Sequence, residues 1–245
     1  SWAHPVVARL SQGDPFHGEF AGFVLVCSWP MPAQVLEQYE TFRTELKRAL
    51  PGEAYLSPGS TLHCTIGTFR GFIDGPMDAL TRETMQQVWV SVVEHARGMR
   101  AWPKAPFRLC MKAPAFFGSS GVILFDDLDG AIKSMRDCLR EAIASCGGVA
   151  VDGGGARSTG RQPSGAPAAE AQIAPHLPDI VHSTILRWKA DPSDRSAAQA
   201  SFEDVSASWN PVEISVEGVS LVLEKGPFMH FPEEVWSCPM ASPSP

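Results

Sequence analysis

Two short stretches of this chain place a histidine and a threonine two residues apart inside an apolar run. They read HCTI (His63–Ile66) and HSTI (His182–Ile185). Imidazole has an unperturbed pKa of about 6.5, so that of two histidines at one site, one can accept a proton while the other donates one. Threonine hydroxyls on the same strands can bond oxygens on which negative charge accumulates. The two stretches therefore indicate metal-independent cleavage of a phosphoester.

For this chemistry both pairs must face one site, and their spacing allows this on β-strands. Residues two apart on a strand share a face, so that His63 and Thr65 point one way, as do His182 and Thr184. If a pseudo-two-fold axis relates the two strands, the pairs meet across one cleft. Arg187 has the opposite parity to His182, and it reaches a phosphate there only if a bulge or the strand end turns it back.

The elements that carry these strands follow the same order in each half of the chain: strand, helix, strand with the histidine, helix, strand. In the first half we predict strands at Gly22–Val26, around His63 and at Phe107–Met111, with helices at Ala33–Leu50 and about Ala79–Arg97. In the second half we predict strands at Gly121–Phe125, around His182 and along Val212–Lys225 with a bulge at Gly218, together with one helix opened by Asp129 and another carrying Ala198 to Trp209.

One segment interrupts this repeat. Gly147–Pro175 is dominated by glycine, alanine, proline and serine. Such a composition buries too little apolar surface to offset the entropy of ordering it, and we expect a flexible insertion. Since each half is too small to close a core alone, we expect a single bilobal domain over residues 1–245 whose lobes mix both halves.

The HCTI and HSTI stretches resemble the two signature motifs of the two-histidine (2H) phosphoesterase superfamily. The second extends to HSTILR, with Arg187 where many members carry a basic residue. The resemblance implies an α+β fold with two antiparallel-sheet lobes related by a pseudo-two-fold axis, outer helices and a central cleft. It further implies that His63, Thr65, His182 and Thr184 line that cleft as catalytic residues, with no metal and no cofactor.

Members of the superfamily include RNA and nucleotide cyclic phosphodiesterases, 2′,5′-oligoadenylate phosphodiesterases and an enzyme that trims RNA 3′ ends. We therefore expect hydrolysis of a 2′,3′-cyclic phosphate in a nucleotide or at an RNA end by His/His general acid–base catalysis. Two alternatives stay open at this point. One is cleavage of a 2′,5′ or 3′,5′ linkage that leaves a cyclic phosphate, and the other is a non-catalytic module that binds a nucleotide or an RNA end.

Several residues near the motifs are candidates for substrate binding. We expect Arg187 to contact a phosphate, and Tyr55, Phe69 and Trp188 to stack on a base, as aromatic side chains do in single-strand recognition. Further aromatic candidates are Phe116, Phe117 and Phe228. No metal site is expected, because His176 and His182 lack a carboxylate or cysteine that would complete a zinc set.

Composition limits the partners. The 245 residues are 44% hydrophobic with a net charge of −7, and they show no basic stripe of the kind that binding to extended duplex nucleic acid requires. A nucleotide or a short RNA or oligonucleotide is the expected partner. No apolar run approaches the roughly 20 residues of a membrane span. The six cysteines form no C-x-x-C pair, which favours a reducing compartment, the cytoplasm first and the nucleus or an organelle as alternatives.

Overall fold

The structure, a computed structural model, describes residues 1–11, 20–72, 74, 77–146 and 175–240. The flexible insertion predicted at Gly147–Pro175 lies outside the described residues, apart from Pro175 itself. Within the described ranges, no helix is both long enough and apolar enough to cross a bilayer.

The described part of the chain contains five α-helices. They are α1 (Pro5–Ser11), α2 (Ala33–Ala49), α3 (Ala79–Gly98), α4 (Ala131–Ser145) and α5 (Arg195–Ser206). Helices α2 to α5 follow the apolar spacing of the sequence, whereas α1 was not predicted. Asp78 and Asp194 begin α3 and α5, since their carboxylates accept the backbone N–H groups of Thr81 and Ala197. Such caps satisfy donors that a helix start leaves without partners.

The start of α4 differs from the prediction that Asp129 opens it. The carboxylate of Asp127 accepts the backbone N–H groups of Ala131 and Lys133, while Asp129 forms an ion pair with Arg108. Negative charge near the first turn stabilises a helix through its exposed N–H groups and its dipole. Asp127 therefore has the role that we predicted for Asp129.

The described strands form two antiparallel sheets. The four-stranded sheet has the order β3 (Cys64–Arg70), β1 (Gly22–Cys27), β8 (Gly218–Glu224), β9 (Pro232–Pro239). The five-stranded sheet has the order β2 (Ala54–Leu56), β6 (His182–Trp188), β5 (Ser120–Asp127), β4 (Phe107–Phe117), β7 (Val212–Val216). Each sheet takes strands from both halves of the chain. The predicted α+β class with two antiparallel sheets is confirmed.

The region predicted as one long strand with a bulge at Gly218 is two strands in different sheets. β7 ends at Val216 on the edge of the five-stranded sheet, and β8 begins at Gly218 inside the four-stranded one, so that Glu217 alone separates them. The slip in alternation at Gly218 thus marks a change of sheet. The preceding helix is shorter than predicted: α5 ends at Ser206, and Trp209 packs into the core after it.

A continuous hydrophobic core joins both sheets to the helices. It includes Leu25 and Ile66 of the four-stranded sheet, Leu109 and Ile185 of the five-stranded sheet, and Val93 of α3, all fully buried. The strands that carry the motifs, β3 and β6, contact each other where the two sheets meet. Packing of the core therefore places both motifs at the junction between the sheets.

Candidate active site

Both motif strands contain a β-bulge at the same position of the motif. The register of β3 with β1 shifts at Ile66, and the register of β6 with β5 shifts at Ile185. A bulge adds one residue to a strand and so changes which later side chains share a face. Thr68 and Arg187, at equivalent positions after the motif histidines, are consequently turned to the face of those histidines. This is the bulge that the position of Arg187 required.

The two strands also match in burial. Buried and partly exposed residues alternate identically along His63–Phe69 and His182–Trp188. Their partly exposed side chains line one cavity of about 290 Å³ between the sheets, with His63, Thr65 and Thr68 on one side and His182, Thr184 and Arg187 on the other. The structure thus brings together the four side chains predicted to be catalytic.

His63 lies immediately before β3, and its imidazole is bonded to the main chain two residues earlier. Its Nδ1 is 2.8 Å from the carbonyl oxygen of Thr61. When Nδ1–H donates to that oxygen, Nε2 keeps its lone pair. Burial is the main cause that lowers the pKa of His63 to about 4; the bond to Thr61 opposes this, and the charges of Arg187 and His182 add to it. The imidazole is therefore neutral near pH 7 and able to accept a proton.

His182 begins β6 in a related environment. Burial is the largest effect on the pKa of His182 and lowers it, while the Ile180 carbonyl, also two residues earlier, opposes this. The charges of Arg136, Arg187 and His176 lower that pKa further. The Ile180 carbonyl is close enough to affect the pKa of His182. It does not meet the distance and angle of a hydrogen bond, however, and the buried Nδ1 of His182 has no hydrogen-bond partner among the described residues. Both imidazoles thus favour the neutral form.

Arg187 brings a positive charge to the same cavity. Its guanidinium carbon lies 3.8 Å from the centre of the Phe228 ring, a cation–π contact. Burial, partly offset by Tyr55 and Glu224, lowers the pKa of Arg187 to about 10, which leaves it protonated at neutral pH. In the described part of the chain the guanidinium forms no ion pair and no hydrogen bond. Its donors are therefore available to an anion.

Glu224 on β8 is the carboxyl group in the wall of this cavity. It is buried, and its Oε1 accepts the backbone N–H of Met229 at 2.9 Å. Burial raises the pKa of Glu224 to about 7, against the opposing effects of that bond and of Arg187. Because such a group is partly neutral near pH 7, it offsets the charge of Arg187 only in part.

Two of the predicted substrate-stacking residues lie in the core. Phe69 and Trp188 are fully buried and are not in the cavity wall. Phe69 stacks on Trp89 with ring centres 4.7 Å apart, and Trp188 packs against Trp2. The bulges explain the error, because they turn Phe69 and Trp188 to the back of their strands while they turn the preceding residues forward. The substrate-binding role predicted for these two residues is corrected accordingly.

Tyr55 lies beside the cavity without forming its wall. It is on β2, paired with Arg187 in the sheet, and its hydroxyl contacts Nε2 of His230. Burial raises the pKa of Tyr55 to about 12, although the charge of Arg187 opposes this. Tyr55 therefore belongs to the surroundings of Arg187 rather than to the surface that a ligand would touch.

The cavity also contains residues that sequence reasoning missed. Thr68 occupies the place in the first motif that Arg187 occupies in the second, so that aligning the two motifs would have found it. His176 adds a third histidine, and it exchanges two backbone hydrogen bonds with Thr68, of 2.8 and 2.7 Å. Phe228, one of the further aromatic candidates from the sequence, is also in the cavity wall, with a φ of 56° that is uncommon for an aromatic residue. In the described ranges, no three His, Cys, Asp or Glu side chains are grouped so that they could hold a metal ion.

Two antiparallel sheets with matched motifs at a shared cleft are the architecture implied by the resemblance to the two-histidine phosphoesterases. Solved structures share the fold. The chain is similar to the Thermus thermophilus protein TT0787, with a TM-score of 0.52 and 17% identity over 91% of this chain and 100% of that one. It is also similar to Escherichia coli LigT complexed with 3′-AMP, with a TM-score of 0.51 and 14% identity over 91% of this chain and 99% of that one.

A second structure of E. coli LigT, complexed with ATP, gives the same TM-score of 0.51, with 13% identity over 91% of this chain and 100% of that one. No family model matches the chain, and no curated protein matches its sequence. At these identities the similarity concerns the fold. The chain therefore has the LigT-like fold of the two-histidine phosphoesterases, as the resemblance implied.

Proposed function

We propose that this chain is a phosphodiesterase that hydrolyses a 2′,3′-cyclic phosphate on a nucleotide or at an RNA end, without a metal. The observation that carries the proposal is the set of three groups in one cavity: two imidazoles and the guanidinium of Arg187, which forms no ion pair or hydrogen bond with any described residue. A phosphodiester needs a base for the attacking water, an acid for the leaving oxygen, and positive charge beside its non-bridging oxygens. These three groups supply all three.

In the proposed reaction His63 is the base and His182 the acid. Nε2 of neutral His63 takes a proton from water as the water oxygen bonds to phosphorus. The bond from phosphorus to one ribose oxygen breaks, and protonated His182 gives its proton to that oxygen. The products are a phosphomonoester and a free ribose hydroxyl. We assign the base to His63 because its pKa of about 4 keeps it neutral and its Nδ1 contact with Thr61 leaves Nε2 basic.

Thr65 and Thr184 complete the proposed site as hydrogen-bond donors to the non-bridging oxygens, and Arg187 binds the phosphate. The cavity volume of about 290 Å³ is at the lower end of the range for small-molecule sites, which suits one nucleotide or the last nucleotide of a strand. The complexes of E. coli LigT with 3′-AMP and ATP support a nucleotide as the ligand class. The free thiols of all six cysteines support a reducing, cytoplasmic location, and the core shared by both sheets supports a single bilobal domain.

Incubation with a panel of substrates in excess EDTA tests the function. The panel contains 2′,3′-cyclic mononucleotides, an oligoribonucleotide with a 2′,3′-cyclic end, and 2′,5′- and 3′,5′-linked dinucleotides. We expect the cyclic phosphates to be opened to monoesters at the same rate with and without EDTA. Cleavage of only the dinucleotides, with a cyclic phosphate as product, would instead establish the transesterification alternative. Tight binding without turnover would establish the non-catalytic module.

The pH profile should show an alkaline limb at an unusually low pH. The proposed reaction needs one neutral and one protonated histidine. The value of kcat/KM is therefore proportional to the fraction of free enzyme that carries one proton on the pair, and its pH profile is bell-shaped. Because the pKa values of both His63 and His182 are lowered, the second proton is lost below the ordinary pKa of about 6.5. The alkaline midpoint of kcat/KM should therefore lie below pH 6.5.

The pH profile of kcat is the control for the pH profile of kcat/KM. A bound phosphate is an anion, and a nearby negative charge favours imidazolium. Since kcat reports ionisations in the enzyme–substrate complex, its alkaline midpoint should lie at higher pH than that of kcat/KM. Equal midpoints for the two parameters, or a kcat/KM midpoint above pH 7, would contradict the assignment of these limbs to the two histidines.

A further inference from the structure

Arg136 is a buried arginine for which the acid–base chemistry above has no role. It lies on α4 and is 4% exposed. Its guanidinium forms no ion pair with a carboxylate of the described residues. It donates instead to three main-chain carbonyl oxygens: from Nε to Ile66 at 3.0 Å, and from Nη2 to Thr65 at 2.9 Å and to Ile180 at 3.1 Å. A buried cation is costly unless it is well bonded, so that these carbonyls are what keeps Arg136 in place.

Two of the three carbonyls belong to β3, and the third belongs to the segment that leads into β6. β3 is the edge strand of its sheet, and an edge leaves main-chain groups without partners. Thr65 is the motif threonine and Ile66 is the bulge residue, while Ile180 lies two residues before His182. A single nitrogen, Nη2, therefore connects the first motif to the segment that leads into the second.

We propose that Arg136 is a positioning residue that fixes His63 and His182 relative to each other by holding the main chain of β3 and of the segment that leads into β6. The main-chain hydrogen bonds between Thr68 and His176 also connect β3 to the segment before β6. Because the two strands belong to different sheets, no sheet ladder among the described residues joins them directly. The inference rests on the proposed function, since it concerns how the catalytic pair is held.

The position of Arg136 gives it a second, electrostatic effect. It bonds the Ile180 carbonyl, the same group that raises the pKa of His182, and its own charge lowers that pKa. The other charged or titratable groups that face His182 are Arg187 on the same strand, His176 before it and His63 across the cleft. Those three are unchanged when Arg136 is replaced, so that a change in the titration of His182 reports Arg136.

The test compares Arg136→Gln, Arg136→Lys and a control, Arg140→Gln, one turn further along α4. Arg140 is 41% exposed and pairs with Asp137. We measure kcat and KM on the substrate that the wild type cleaves, and titrate the imidazole protons of His182 by NMR without substrate. In Arg136→Gln we expect kcat to fall about ten- to hundredfold, as for a small displacement of reacting groups, with KM within about threefold and the pKa of His182 raised.

Arg136→Lys should keep the His182 titration near wild type but not restore kcat, because lysine retains the charge and loses the planar fork that reaches three carbonyls. Arg140→Gln should leave both measurements unchanged. A folded Arg136→Gln protein with wild-type kcat and an unchanged His182 titration would overturn the proposal, as would failure of both Arg136 variants to fold, which would assign Arg136 to stability alone. If the wild type proves inactive on every substrate, the proposed function fails, while the titration still decides whether Arg136 acts on His182.

Discussion

Replacing either His63 or His182 with alanine is expected to lower kcat/KM at least about a hundredfold on any phosphodiester that the wild type cleaves. A positioned general acid or base contributes about 10²- to 10⁴-fold to a rate, and each variant removes one. Steady-state kinetics should show the loss mainly in kcat, because in the proposed site Arg187 and the threonines still bind the phosphate. Near-full activity in either variant would refute the two-histidine mechanism.

The chain offers a matched control for these variants. His95 is exposed on α3 and is not in the cavity wall, so that His95→Ala should behave as wild type. The double variant His63→Ala/His182→Ala should lose little more than either single variant, since both groups act in one displacement. Thr65→Ala and Thr184→Ala should lower kcat/KM as much as the single histidine variants or less. In the proposed site each removes a hydrogen bond to the phosphate and leaves proton transfer in place.

Replacing Arg187 with methionine is expected to lower kcat/KM about ten- to hundredfold and to shift the alkaline limb to higher pH. The first effect follows because a hydrogen bond to a charged group contributes about 1.5–3 kcal/mol. The second follows because the charge of Arg187 lowers the pKa of both His63 and His182; without it both rise, and the singly protonated enzyme persists to higher pH. Kinetics across pH measure both effects in one experiment.

Arg187→Lys separates the two roles of that side chain. It keeps a positive charge beside the imidazoles but loses the planar pair of donors, so that the alkaline limb should stay near wild type while KM rises. Arg97→Met, at an exposed position on α3, controls for the general loss of a surface charge. An Arg187→Met protein with wild-type KM and an unchanged pH profile would show that this residue neither binds the phosphate nor acts on the histidines.

Much of this site could be predicted because strands have a short, reliable period. A spacing of two placed His63 with Thr65 and His182 with Thr184 on common faces, and the structure brings all four to one cavity. The long helices could be predicted equally well, since their buried residues recur at helical spacing. Periodicity within one element was sufficient for these predictions.

Predictions failed where the outcome depended on a neighbouring element. The bulges at Ile66 and Ile185 form against β1 and β5, and they place Phe69 and Trp188, which were expected to stack on a base because they are aromatic and close to the motifs, on the buried side of their strands. β2 is only three residues long. β9, with the sequence PEEVWSCP, has two adjacent glutamates and a proline at each end, and it forms as the partner of β8. The strand propensity of these residues alone does not predict that pairing.

The change of sheet at Glu217 limits how the two lobes can move during turnover. A hinge between domains needs a few residues that are free to change their backbone angles. Here one residue separates two hydrogen-bonded strands, and its carbonyl accepts the N–H of Met240 at 2.7 Å. Rotation of one lobe against the other would have to pivot at this residue and break the ladder of β7 or of β8. We therefore expect the width of the cleft mouth to change little, so that under the proposed function the size of the group that passes it limits which phosphodiesters reach the histidines.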